Sequence, residues 1–118
     1  MKISLVCLLL VLAPGGREKE HPFACNLGAF TKEERAEHEA LGRTLWEAVR
    51  QQRELPNGFA FRLPPDRLET AARWVKGERL CCPFFSFRLD VAHDGGPLWL
   101  EITGPEGAKA FMRAEFGL

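Results

Sequence analysis

The decapeptide Glu78-Arg79-Leu80-Cys81-Cys82-Pro83-Phe84-Phe85-Ser86-Phe87 fixes more of this chain than any other stretch. Pro83 disfavours helical geometry at Cys82, so a helix arriving from the N-terminal side ends there. Beyond it, Phe85, Phe87, Leu89 and Val91 alternate with Ser86, Arg88 and Asp90. That is the period of a strand with one buried face. The chain must therefore turn from helix to strand at this corner, with two adjacent thiols at the turning point. Carrying the helical period through Ala71 and Val75 puts Glu78 and Cys82 on the same face.

The flanking sequence supplies the remaining elements. Thr31-Lys32-Glu33-Glu34 reads as a capping box opening a helix that runs to about Gln52. Ala36, Ala40, Leu41, Leu45, Trp46 and Val49 form its apolar stripe, and His38 is expected on the solvated side. Leu55-Pro56-Asn57-Gly58 is a turn, with Asn-Gly tolerating positive φ. Phe59 to Leu63 alternates as a strand, stopped by Pro64-Pro65. Asp66-Arg67-Leu68-Glu69 repeats the capping pattern ahead of the helix that leads to Cys82. After the Phe85 strand, His93-Asp94-Gly95-Gly96 is a hairpin loop into Leu98, Leu100 and Ile102. Trp99 then points away from the core, which calls for cover by another element or a partner. Thr103-Gly104-Pro105-Glu106 reads as a third capping box for a last helix carrying Ala108, Phe111, Met112 and Phe116.

The predicted order is helix, strand, helix, strand, strand, helix. This is an α+β fold with a three-stranded, largely antiparallel sheet packed by helices. It corresponds to a partial ferredoxin-like unit lacking its last strand. The first helix or a second copy of the chain would cover the open edge, a homodimer being the second of these alternatives. Nine phenylalanines and an apolar fraction of 46% suffice for a core. The 16 basic and 16 acidic residues balance without a run of either sign, which argues against a nucleic-acid or membrane-surface partner.

Residues 1–16 differ from the rest. Lys2, an apolar run from Ile3 to Leu12 and the small-residue patch Ala13-Pro14-Gly15-Gly16 fit a signal peptide. The run falls short of the roughly 20 residues of a membrane-spanning helix. This divides the chain into a leader (1–16), a linker (17–22) and one α+β domain (23–118). The protein would be secreted or periplasmic if the leader is cleaved, and cytoplasmic otherwise. Cleavage removes Cys7 and leaves Cys25, Cys81 and Cys82. An odd count does not suit a closed disulfide framework. Neighbouring cysteines also join only in a strained ring.

Two adjacent thiols with a third from a nearby loop suit a soft or borderline ion such as Cu(I) or Zn(II), or a thiophilic metalloid. Three sulfurs leave zinc one ligand short, a place that Glu78 or His21 would fill. A helix C-terminus and Glu78 both oppose thiolate formation, whereas Arg79 favours it. Unassisted nucleophilic catalysis is thus disfavoured, and a bound cation would reverse the balance. The reading is a small binding protein with Cys25, Cys81 and Cys82 as metal ligands and Glu78 and Arg79 in support. The alternatives are a structural or interaction module whose cysteines only pack, a redox protein, or a thiol-dependent enzyme acting through Cys82 with Glu78 or Arg79. The decisive geometry is whether the Cys25 sulfur lies within about 4–5 Å of Cys81 or Cys82, as sharing one ion requires.

Four blocks carry a family resemblance: Ala24-Cys25-Asn26-Leu27; Glu54 to Arg62; Glu78 to Phe87; and Leu98 to Gly107. Together they resemble a family of short, uncharacterised bacterial proteins with an E-R-x-C-C-P-F-x-x-F block. The resemblance covers about residues 23–116 and implies that this region is the whole domain. It carries no activity with it. Members of that family begin close to the Ala-Cys block, so the leader is a departure.

Overall fold

The structure, a computed structural model, describes residues 23–118. The expected leader and linker, with Cys7 and His21, lie outside the described residues. Helix α1 spans Lys32–Glu47. Its capping box forms as expected: the Thr31 hydroxyl accepts from the Glu34 amide at 3.1 Å, and the Glu34 carboxylate accepts from the Thr31 amide at 2.8 Å. The helix stops at Glu47, short of the expected Gln52. Gln51–Leu55 instead forms a strand, β1, that turns through Pro56 and Asn57 into β2, Gly58–Leu63. A 3₁₀ turn at Pro65–Arg67 leads into α2, Leu68–Cys81. Strands β3, Ser86–Val91, and β4, Leu98–Thr103, precede α3, Ala108–Phe116.

The sheet therefore has four strands, in the order β1-β2-β4-β3, all antiparallel, and not the expected three. Strand β1 occupies the edge that the first helix or a second copy was expected to cover. Its sequence hides it, because four of its five residues are exposed and no buried face imposes alternation. The β3–β4 hairpin is as expected, with Asp94 and Gly95 at φ 54° and 66° in its loop. Gly58 serves a different purpose from the expected one. Its φ is not positive, but a Cβ there would lie 1.9 Å from the Ile102 carbonyl oxygen, so β2 and β4 can approach only around a glycine.

The two later capping boxes do not form. Neither α2 nor α3 has a side-chain cap at its first turn. In both, a proline-led turn satisfies the backbone instead: the Arg67 amide donates to the Pro64 carbonyl and the Ala108 amide to the Pro105 carbonyl, each at 3.0 Å.

The sheet buries Phe59, Phe61, Leu63, Leu98, Leu100 and Ile102. Against this layer sit Leu45 of α1, Ala71 and Trp74 of α2, and Ala108 and Met112 of α3. Trp46 meets Phe61 edge-on at 4.8 Å, and Trp74 meets Trp46 edge-on at 5.5 Å, locking α1, α2 and β2 together. Each fully buried Leu, Ile, Phe or Met contributes about 1.5–3 kcal/mol. Trp99 faces away from this core, as expected, and the guanidinium of Arg53 on β1 covers it at 4.4 Å. No helix among the described residues is long and apolar enough to cross a membrane.

Candidate metal centre

The last turn of α2 builds half of the site. Glu78, Cys81 and Cys82 stand at i, i+3 and i+4, so one helical face carries all three side chains. The Cys82 amide donates to the Glu78 carbonyl at 2.7 Å, and Cys82 then leaves helical geometry at φ −127° and ψ 70° ahead of Pro83. The Phe85 amide donates back to the Cys82 carbonyl at 3.2 Å, closing the corner into β3.

The other half is the segment before α1. Its Asn26 amide donates to the Cys81 carbonyl at 2.7 Å, satisfying a helix-end acceptor. Phe23 packs on Phe84 with ring centroids 4.7 Å apart. These two anchors hold Cys25 over the end of α2. The donor atoms of Cys25, Glu78, Cys81 and Cys82 consequently all lie within 4.8 Å of one another. The distance required of the Cys25 sulfur is met. The three cysteines are free thiols. Cys81, Cys82 and Glu78 are sealed, at 2%, 0% and 4% exposure, whereas Cys25 is half-buried. Arg79 is exposed.

Two side chains that the sequence reading did not assign to the site meet it. His38 was expected on the solvated side of α1. Instead its Nε2 lies 2.8 Å from Glu78 Oε2, and its side chain is 13% exposed. The signal was available: His38, Leu41, Gly42 and Leu45 follow the spacing of the buried stripe, whereas Ala36 and Ala40, taken into the expected stripe, are exposed. The imidazole is fixed on several sides. It stacks 6.0 Å from Trp74, sits 5.1 Å from Phe30 and rests on Gly77, where a Cβ would fall 2.4 Å from Nδ1. Nδ1 is buried with no hydrogen-bond partner among the described residues, and the carboxylate facing Nε2 accepts its hydrogen. The second addition is Glu115 of α3, whose Oε2 is 3.9 Å from Cys25 Sγ. No local pattern marks it, since it comes from 90 residues away.

The thiols titrate as a set. Hydrogen bonds from Cys81 and Cys82 stabilise the Cys25 thiolate and lower its pKa to about 3, against the opposing effect of burial. Donating to Cys25 pushes both other thiols up, and burial and Glu78 push them further. Burial and then the Cys25 charge raise the Glu115 carboxyl above its ordinary pKa. Cys81 Sγ also lies 3.6 Å from Glu78 Oε2 and 3.8 Å from Cys82 Sγ.

Four acidic groups thus converge in a region mostly closed to water. Buried groups of one sign need protons or a cation between them. Two sulfurs each about 2.3 Å from a tetrahedral zinc would stand about 3.8 Å apart, the separation found between Cys81 and Cys82. No protein-family profile, curated protein or solved structure matches the chain.

Proposed function

We propose that this protein binds a soft or borderline metal or metalloid ion through the thiolates of Cys25, Cys81 and Cys82. One observation carries the reading: three sulfurs from two distant parts of the chain and one carboxylate oxygen lie within 4.8 Å of one another. Cysteines that served only to fill space would explain the burial of Cys81 and Cys82. They would not explain a carboxylate at 4% exposure directed at the same point. His38 already partners that carboxylate at 2.8 Å, but a packing role would not bring Cys25 from the segment before α1 onto the same point.

The same geometry supports binding over nucleophilic catalysis. Cys25 holds the easily formed thiolate, yet hydrogen bonds from Cys81 and Cys82 stabilise that charge and so reduce its reactivity. A bound cation would displace protons from all three sulfurs, as coordinated thiols are deprotonated. The site also ties the segment before α1 to the end of α2, so ion binding should stabilise the fold.

Titration under reducing conditions with Cd²⁺, Zn²⁺ and Cu⁺, each against a competing chelator, tests this. The expected result is one ion per chain, a sulfur-to-metal charge-transfer band with Cd²⁺ and Cu⁺, and loss of affinity in Cys81→Ser/Cys82→Ser. Equal affinity in that double variant would refute the reading.

A further inference from the structure

Glu78 is the one charged side chain in the buried core of the described residues. Burying a carboxylate is costly, and the fold goes to some length to hold this one. Its Oε2 accepts from His38 at 2.8 Å while lying 3.6 Å from Cys81 Sγ. His38 reaches it only because residue 77 is glycine. The ring is then clamped between Trp74, Phe30 and the α2 backbone. A histidine locked on three sides and bonded to a carboxylate is the arrangement that orients a metal-ligating carboxylate.

Donor type then narrows the ion. A carboxylate oxygen is a hard donor that Cu(I) has no need of, since thiolates alone satisfy it. Zinc-class divalent ions accept sulfur and oxygen together and prefer four ligands in a tetrahedron. Three sulfurs plus Glu78 supply four donors, making good the missing ligand of a three-cysteine set.

We propose that the site selects a four-coordinate divalent ion of the zinc class, bound by Cys25, Cys81, Cys82 and the Glu78 carboxylate. His38, seated on Gly77, is the positioning residue that sets this preference over ions content with three sulfurs. This rests on the thiolate-binding reading above. His38 touches no ion itself; it acts through Glu78.

The test compares Zn²⁺ and Cu⁺ affinities of the full chain, each measured by chelator competition, for wild type, His38→Leu, His38→Gln and Glu78→Gln. Leucine removes the hydrogen bond, and glutamine at 38 can restore it through its amide. Glu78→Gln keeps the volume and supplies the comparison independently of any folding defect at 38. His38→Leu should weaken Zn²⁺ binding by about 10–100-fold, the usual cost of losing an outer-shell partner. Glu78→Gln should weaken it at least as much, and His38→Gln should recover part of the loss. Cu⁺ affinity should move less than about threefold throughout, since no sulfur is lost. Co²⁺ bound to wild type should give an intense tetrahedral visible spectrum that shifts in Glu78→Gln. Zn²⁺ and Cu⁺ affinities falling by the same factor, or Zn²⁺ affinity unmoved, would overturn the assignment and leave thiolate binding standing. A wild-type chain that binds neither ion would overturn both.

Discussion

Gly77 lies in the middle of α2, where alanine is ordinarily favoured over glycine by about 1 kcal/mol. On propensity alone Gly77→Ala should stabilise the protein. The structure predicts the opposite. The new Cβ would sit 2.4 Å from His38 Nδ1, 2.9 Å from Cε1 and 3.3 Å from Cγ. His38 would have to leave, and Glu78, at 4% exposure, would lose its hydrogen bond. A hydrogen bond to a charged group is worth about 1.5–3 kcal/mol. Subtracting the propensity gain leaves a net destabilisation of about 0.5–2 kcal/mol. In a His38→Ala background the obstructing ring is gone, so Gly77→Ala should recover its ordinary gain of about 1 kcal/mol. Urea denaturation of the four proteins without metal gives the cycle directly. The predicted signature is a change of sign between the two backgrounds. Stabilisation by Gly77→Ala in both would refute the account of why a glycine stands beneath His38.

Three further outcomes follow from the same structure. Alkylation of Cys25 in the metal-free protein should be nearly independent of pH between about 5 and 8, because its thiolate is already formed there; peptide mapping showing a tenfold rise per pH unit would contradict the hydrogen-bonded thiolate. Lys109, then Arg113, holds the Glu54 carboxyl below its ordinary pKa. A depressed folded-state value gives stability that is present above the unfolded value and lost as pH falls through the folded one. Glu54→Gln should therefore lower the urea midpoint at pH 7, with the difference from wild type closing in acid; a difference that persists below both values would contradict the pairing. Gly58→Ala should prevent folding outright, because the new Cβ meets backbone at 1.9 Å and no side chain can yield; a native circular-dichroism spectrum with an unchanged melting temperature would show that β2 and β4 do not approach as described.

What the sequence disclosed depended on whether a feature was local. The Thr31 capping box, the corner at Pro83 and the β3–β4 hairpin are each written within a few residues, and all three form. Strand β1 was invisible because an edge strand with Gln51, Gln52, Arg53 and Glu54 exposed has no apolar face to betray its period. The capping patterns at Asp66 and Thr103 misled because neighbouring prolines let the backbone close those turns alone. For the site, the shared face of Glu78, Cys81 and Cys82 follows from helical spacing. That Cys25 reaches them depends on the Phe23–Phe84 contact and the Asn26–Cys81 hydrogen bond, which span more than fifty residues of sequence. His38 was missed because the stripe took in Ala36 and Ala40, which are exposed, and left out Gly42, which is buried beside Leu41 and Leu45.

X-ray absorption of the chain loaded with one equivalent of Zn²⁺ tests the central claim most directly, because it counts the sulfurs around the ion. Three thiolates acting together predict a shell of three sulfurs at about 2.3 Å, with a single oxygen or nitrogen at about 2.0–2.2 Å. A shell of oxygen and nitrogen alone, or one with a single sulfur, would show that Cys25, Cys81 and Cys82 do not bind as a unit.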